Sequence, residues 1–346
     1  MPTPPTLTVR QARVAIVVWF AVLVVALTAP EVHTPPAKPD ASDSAAFERM
    51  VERLRAGEGY YEATGAEMRR RGYPTASIFN WRTPLLMTAI AVVPSAVSQM
   101  VIVGLGVALI VSTWRVLREV SLAACCTGTV LEAGAVAIAV IPPSLVMGEA
   151  WAGLLLGLSV CAFARERRLT AIVLGALALF VRELAGAYCL VCGAIAVKDR
   201  RWRDVAAWGI AGVLYAVYYG VHVLHVIAHR QPGDIAHAHS WLSLGGVPFM
   251  LGALGWHAWL VLLPPVFTRL MLPLIVCALW SRRMVPEGRA AVATYLLLLL
   301  VAGLPFNVYW GAMTWPVWAI GAGYAVDAVR DAVRVAWPSR QAPRTA

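Results

Sequence analysis

Charged side chains are scarce in this sequence, and their scarcity excludes a soluble globular protein. Of the 346 residues only 14% are charged, whereas 60% are hydrophobic and the mean hydropathy is +0.69. A soluble domain carries about 25% charged residues, because its surface must face water. The composition therefore predicts an all-α polytopic membrane protein.

Internal repeats and any sign of a second domain are also missing, so residues 1–346 are interpreted as a single transmembrane domain. The six cysteines all lie in apolar runs, and Cys189 and Cys192 form a C-x-x-C without a βαβ pattern around it. Both are expected to be small hydrophobic helix residues. The net charge of +10 comes in short clusters between apolar runs, which the positive-inside rule explains, so nucleic acid is not an expected partner.

Apolar runs alternate with short polar connections and predict about ten transmembrane helices. The predicted spans are residues 14–27, 97–117, 122–141, 145–163, 169–181, 184–197, 205–226, 257–280, 290–304 and 315–333. Residues 85–93 are apolar but too short to cross and are expected to form a re-entrant or interfacial piece, and residues 245–256 are expected to lie flat at the interface. The first run also looks like a signal peptide, and we interpret it as an uncleaved span.

The basic residues decide the predicted orientation. With the N-terminus inside, nearly all short basic clusters face the cytoplasm. The sequence thus predicts a multi-pass protein of the cytoplasmic (inner) membrane with both termini cytoplasmic. Residues 30–84 and 227–256 become two extracytoplasmic loops.

The polar stretch from residue 40 to 84 is expected to be folded. Asp43, Phe47, Met50 and Leu54 share one face of a helix that begins near Asp43. Gly57 and Gly59 should end this helix.

A second short helix is predicted after these glycines. Thr64 and Glu67 have the spacing of a capping box at its start, and Gly72 and Pro74 should close it. The loop then leaves through Asn80-Trp81-Arg82.

Unusual polar residues lie together on the predicted outer face. Ionisable groups at a membrane edge are unfavourable in free energy unless they are paired or hydrated, so this arrangement favours one outward-facing cavity. The residues are Asp43, Asn80, Arg82, Glu149, Arg182, Glu183, the histidines between 222 and 239, Trp241, Asn307, Tyr309 and Trp310.

Plainer explanations remain open for these residues. Asp43 could be only a helix N-cap, Arg182 and Glu183 could neutralise each other, and Glu149 could pair with a neighbouring arginine. Arg269 is harder to explain, because it falls unpaired in the middle of a predicted span.

The histidines allow a metal site by geometry alone. His222, His225 and His229 share a helix face, and His237-x-His239 follows. No obvious carboxylate accompanies them, so no metal is predicted.

Several motifs resemble the GT-C superfamily of polytopic glycosyltransferases, most closely the bacterial polyprenyl-phosphate-mannose-dependent mannosyltransferases. They are D-x-x-x-F and G-x-x-Y-Y in the first loop, Gly148-Glu149 ahead of LLLGLSVCAFARERR, and the basic turn KDRRWRD. The resemblance covers residues 10 to 210. The chain departs from the family in having Glu149 where Gln is usual and Arg182-Glu183 where Lys is expected.

The resemblance implies a mannosyltransferase-like, inverting enzyme of the cell envelope that takes its sugar from a polyprenyl phosphate and uses an acidic first-loop residue as base. Asp43 matches that position, and Asp40 is the reserve. The expected partners are the lipid-linked donor and a glycan, lipid or protein acceptor. No cofactor and no divalent metal are expected.

The chemistry assigns the remaining roles. Cations must stabilise the departing phosphate, and Arg182, Arg82, Arg269 and His222 are the candidates. The residues expected to bind the substrates are Tyr60, Tyr61, Asn80, Glu149, Glu183, Trp241, Asn307, Tyr309 and Trp310. A transporter or flippase and a GT-C-like scaffold without activity are the alternatives.

Overall fold

The computed structural model describes residues 7–30, 42–236 and 244–337, and these residues form helices and no β-strand. The α-helices are α1 (Val9–Thr28), α2 (Asp43–Arg55), α3 (Tyr60–Arg70), α4 (Leu85–Val92), α5 (Ser95–Leu117), α6 (Leu122–Ala139), α7 (Gly148–Ala164), α8 (Arg168–Val181), α9 (Gly186–Lys198), α10 (Trp202–Ala228), α11 (Gly246–Leu254), α12 (Ala258–Val261), α13 (Pro265–Cys277), α14 (Pro286–Val301) and α15 (Gly311–Ala336). Short 3₁₀ helices lie at Ile78–Asn80, Pro142–Val146, Glu183–Ala185, Ala278–Trp280 and Pro305–Trp310.

Four helices are long and apolar enough to cross a membrane: α1, α5, α6 and α10. On α10 the side chains of Val213, Leu214 and Val217 are exposed, as expected for a face that contacts lipid. The predicted all-helical chain is therefore confirmed, and its long apolar helices support a membrane protein.

Helix α15 is the centre of the bundle, and most of its side chains are buried. It packs most extensively on α6 and α7. Gly153 of α7 allows this approach, since a Cβ there would lie 2.5 Å from the carbonyl oxygen of Ala312. Small residues at helix contacts are the usual means of close packing in membranes.

The first loop forms the predicted pair of helices. Helix α2 begins at Asp43 and buries Phe47 and Met50, and it packs on α3 and α4. The residue that caps α2 is Ser42, whose hydroxyl accepts a hydrogen bond from the Ala45 amide at 3.3 Å. Asp43 is thus not the N-cap, and its carboxylate is left for other contacts.

The capping box predicted at Thr64 and Glu67 is wrong. Helix α3 begins a turn earlier, at Tyr60, with Gly59 as its N-cap residue. Glu67 instead lies 2.6 Å from a guanidinium nitrogen of both Arg70 and Arg71. The hydrogen bond from Arg70 outweighs burial and lowers the pKa of Glu67 to about 2.

The predicted span at residues 257–280 is not one continuous helix. The prolines at 264 and 265 separate α12 from α13, since proline cannot continue a helix hydrogen-bond ladder. The preceding interfacial segment forms α11, which buries Phe249, Met250 and Leu254 against its neighbours. This part of the chain is therefore packed within the protein.

Candidate active site

Seven polar side chains converge at one end of the bundle, and we call them the Glu149 cluster. They come from the start of α2, the two segments that flank the 3₁₀ turn at Ile78–Asn80, the start of α7, the end of α8 and the Pro305–Trp310 turn. The cluster consists of Asp43, Tyr73, Arg82, Glu149, Arg182, Glu183 and Tyr309.

Glu149 lies at the centre of the cluster and is fully buried. Its Oε1 lies 2.7 Å from Nε of Arg182 and 3.0 Å from Nη2 of Arg82. No described residue hydrogen-bonds to its Oε2. A buried carboxylate is tolerated when cations pair with it, so these two arginines hold Glu149 in place.

Arg182 is engaged on two sides. It donates to Glu149, and its Nη1 contacts Oε1 of Glu183. Its side chain is 6% exposed. Both plainer explanations, that Arg182 neutralises Glu183 and that Glu149 pairs with an arginine, are therefore confirmed, and little of this guanidinium is open to a ligand.

Arg82 is the more accessible cation, with 19% of its side chain exposed. Its guanidinium lies 5.5 Å from the centre of the Phe47 ring, and Nη2 donates to the Tyr309 hydroxyl at 3.2 Å. Burial lowers the pKa of Arg82, but the charge of Glu149 and its neighbours outweighs this and raises the pKa above its usual value. Arg82 is thus a fixed positive charge.

Asp43 is half-buried beside these charges. The Tyr73 hydroxyl donates to its Oδ1 at 2.7 Å, and no donor to Oδ2 occurs within the described ranges. Asp43 is also close enough to Arg82, Glu149 and Tyr309 to interact with them electrostatically. Burial and the Asp43 charge raise the pKa of Tyr73, so Tyr73 remains a neutral donor that orients the carboxylate.

The predicted pair Tyr60 and Tyr61 lies next to the cluster. The Tyr60 hydroxyl donates to the backbone oxygen of Arg82 at 2.6 Å. The Tyr61 hydroxyl lies 3.1 Å from Nδ1 of His222, whose Nε2 lies 3.2 Å from the backbone oxygen of Trp81. Because a carbonyl can only accept, His222 carries its proton on Nε2 and accepts from Tyr61. Both nitrogens of His222 are therefore occupied.

A second set of contacts fixes the first loop to the segment after α10. Asp234 accepts hydrogen bonds from Arg69 at 2.7 and 3.1 Å and from the Thr75 hydroxyl at 2.7 Å. The hydrogen bond from Arg69 is the main reason that the pKa of Asp234 lies well below its usual range. This contact, which the sequence did not predict, orders the chain that leads to Arg82.

Asp234→Asn should loosen this connection at neutral pH. Charge-assisted hydrogen bonds contribute about 1.5–3 kcal/mol each, so amide exchange across residues 69–76 should accelerate about tenfold or more. The same loss should follow acidification of the parent, since a depressed carboxyl pKa stabilises the fold above the unfolded value near 4 and ceases to do so as pH falls. Hydrogen exchange followed by mass spectrometry measures both effects.

Glu62→Gln is the matched control for this change. Glu62 also joins α3 to the end of α10, through His229 at 3.0 Å, but its side chain is 62% exposed. Exposed pairs contribute little, so its exchange pattern should match that of the parent. If Asp234→Asn behaved like Glu62→Gln, the Asp234 contacts would have no ordering role.

The other residues that were expected to bind the substrates lie in different parts of the structure. Asn80 donates to the backbone oxygen of Pro74 at 2.5 Å, which closes the 3₁₀ turn before Arg82. Asn307 and Trp310 flank Tyr309 and are buried, and Nδ2 of Asn307 and Nε1 of Trp310 find no acceptor among the described residues. Buried donors without partners are uncommon and often mark a ligand or water site. Asp40 and Trp241 lie outside the described residues.

Arg269 is not unpaired at mid-span, as the sequence had suggested. It lies in the second turn of α13, and its Nη1 donates to the backbone oxygens of Ala26 and Ala29 at 2.8 Å. Those carbonyls end α1 and lack partners within the helix. Arg269 therefore satisfies the C-terminus of α1, and the contacts of the described residues do not bring it to the Glu149 cluster.

The sequence did not single out two residues, Tyr73 and Glu132, whose hydrogen-bond partners are well defined in the structure. Tyr73 follows a glycine turn, and nothing in its spacing connects it to Asp43. Glu132 is fully buried in α6, where the Thr113 hydroxyl donates to its Oε2 at 3.2 Å. Its position within a predicted span could have identified Glu132 from the sequence, because ionisable residues are rare in membrane spans.

No group of three metal-ligating side chains occurs in the described parts of the chain. His222, His225 and His229 do share a face of α10, and their rings lie 4.8–5.6 Å from the ring of Tyr61. His237 and His239 are outside the described residues. Comparison with known proteins returned no match: no family model, curated protein or solved structure is significantly similar to this chain.

Proposed function

We propose that this chain is an inverting membrane glycosyltransferase of the GT-C type, with ten spans and both termini in the cytoplasm. It transfers a sugar such as mannose from a polyprenyl phosphate to an acceptor hydroxyl at the outer face of the inner membrane. The observation that carries the proposal is the half-buried carboxylate of Asp43, which Tyr73 orients and which is close enough to the guanidinium of Arg82 to interact with it electrostatically.

Asp43 is the base in this reaction. Its carboxylate takes the proton from the acceptor hydroxyl, whose oxygen then forms a bond to the anomeric carbon. The bond from that carbon to the phosphate oxygen breaks, and the phosphate leaves with the electron pair. Because the acceptor attacks opposite the leaving phosphate, the product has the inverted configuration.

Arg82 is the main cation for the departing phosphate. It is more exposed than Arg182, and an arginine fork binds phosphate oxygens in pairs. Arg182 acts through Glu149, which it positions against Arg82. Tyr309 and the unpaired donors of Asn307 and Trp310 are the groups that we assign to the sugar.

The positions of the basic turns support an extracytoplasmic site. Glu149 lies in the first turn of α7 beside the end of α8, and α7 ends at the turn that holds Arg165 and Arg167. A helix of this length separates the two by about 24 Å, so the basic turn lies at the opposite end of the bundle. Basic turns favour the cytoplasmic side.

Topology reporters test this orientation. Fusions after Pro74 and after Gln231 should report an external position, whereas fusions after Arg203 and after Arg283 should report a cytoplasmic one. A cytoplasmic signal from the Pro74 fusion would place Asp43 on the wrong side of the membrane for this chemistry.

An inactive scaffold is the second candidate, and the pairing within the cluster favours it. Three carboxylates accompany two guanidiniums, and Arg182 is already neutralised by Glu149 and Glu183. An assay of sugar transfer by the purified protein separates the two functions, because a scaffold would release no sugar from the donor.

A further inference from the structure

A groove and a pocket lie along one seam of the bundle, far from the residues assigned to catalysis. The groove has a volume of about 440 Å³ and runs between α1, α13 and α15. Trp19 and Leu23 of α1, Leu270 and Leu274 of α13 and Val329 of α15 are among its walls, which are apolar throughout. A surface of this kind suits a hydrocarbon chain.

The pocket lies toward the N-terminal end of α1 and has a volume of about 240 Å³. Gln11 lines it from α1, Trp280 from the end of the α13 segment, Arg282 from the connection into α14 and Arg289 from the first turn of α14. Its lining includes Gln11 and two arginines and is more polar than that of the groove, although the two share α1 as one wall.

The two arginines of the pocket lack an anionic partner in the described structure. Arg282 donates to the side-chain oxygen of Gln11 at 3.4 Å, and it is close enough to Arg289 to repel it. Among the described residues, no carboxylate lies within ion-pair distance of either guanidinium. An anion between them would relieve this repulsion and accept the forks of both side chains.

The spacing between pocket and groove matches the depth of one lipid leaflet. From Gln11 to Trp19 and Leu23 the helix rises about 12 to 18 Å, at 1.5 Å per residue. Half of the hydrocarbon core of a bilayer measures about 15 Å. A molecule with its headgroup at the arginines would therefore place an acyl chain along the groove.

We propose that an anionic phospholipid occupies this seam, with its headgroup phosphate between Arg282 and Arg289 and one acyl chain between α1 and α13. The basic residues place the pocket on the side predicted to be cytoplasmic, where anionic headgroups attract arginine. The lipid fastens α1 to the rest of the bundle, independently of any sugar transfer.

Lipid binding to the full-length protein in neutral detergent tests this proposal. Phosphatidylglycerol should bind and raise the unfolding temperature, while phosphatidylcholine and inorganic phosphate should do neither to the same extent. In the double variant Arg282→Gln/Arg289→Gln, affinity for phosphatidylglycerol should fall about 30-fold. Each basic residue near an anionic membrane surface contributes about 1 kcal/mol, and about 2 kcal/mol corresponds to this factor. Native mass spectrometry counts the bound lipids.

Arg168→Gln is the matched control, because Arg168 is an exposed arginine at the start of α8, and its lipid binding should equal that of the parent. Val329→Phe fills the groove and leaves both arginines in place, so it should weaken binding of long-chain but not of dihexanoyl phosphatidylglycerol. Unchanged binding in the double variant, or equal binding of phosphatidylcholine, would overturn the proposal. If inorganic phosphate raised the unfolding temperature as much as phosphatidylglycerol does, the site would be one for anions and the lipid proposal would be wrong.

Discussion

Asp43→Asn should lower the rate of sugar transfer by roughly 10²-fold or more, the contribution typical of general-base catalysis. Asparagine keeps the size of the side chain and can still accept from Tyr73, but it cannot take a proton. Helix α2 should remain folded, because Ser42 and not Asp43 caps it. The rate, and circular dichroism of the same sample, measure the two effects separately.

Three further variants make this result specific. Glu48→Gln removes an exposed carboxylate from the same helix and should leave the rate unchanged. Tyr73→Phe keeps the base but loses the hydrogen bond that orients it, so its rate should lie between those of the parent and Asp43→Asn. Asp40→Asn tests the reserve base, and a large loss there with an active Asp43→Asn would move the catalytic role to Asp40.

Glu149→Gln should destabilise the protein by about 3–5 kcal/mol, the usual consequence of removing one partner from a buried ion pair. Glu149 is fully buried and receives both Arg82 and Arg182 on one oxygen. The amide cannot neutralise them, and Arg82 then loses its only described carboxylate within ion-pair distance. Chemical unfolding in detergent measures the free energy.

Glu166→Gln provides the comparison for that variant, since Glu166 is an exposed glutamate just beyond the other end of α7. Its stability should stay within about 0.5 kcal/mol of the parent, as for most surface substitutions. If Glu149→Gln had equally little effect on the free energy of unfolding, the cluster would not depend on its central carboxylate. Arg182 would then have no role in positioning Glu149 against Arg82.

Local patterns in the sequence predicted the first loop well. The apolar spacing of Phe47 and Met50 located α2, and Gly72 ends α3 with a positive φ of 68° that glycine adopts without strain. These features depend on residues near each other in the chain. The false capping box at Thr64 shows the limit, because Glu67 pairs with Arg70 and Arg71 more strongly than it could cap a backbone amide.

Contacts between distant segments could not be read in the same way. The sequence placed Arg182 and Glu149 on one face of the membrane, but only the packing of α7 against α8 brings them within 2.7 Å. Arg269 suggested a function because it interrupts an apolar run. Among the described residues it donates to backbone carbonyls at the end of α1, and contacts with the backbone leave no trace in side-chain patterns.

The most direct test of whether Asp43 is the base of a sugar transfer is to measure the transfer of labelled mannose from a polyprenyl phosphate by the purified full-length protein in liposomes. We expect the parent to transfer the sugar to an acceptor or to water with inversion at the anomeric carbon, and Asp43→Asn to bind the donor but turn it over at least about 10²-fold more slowly. A folded, donor-bound parent that leaves the donor intact, or an Asp43→Asn variant as fast as the parent, would contradict this role of Asp43.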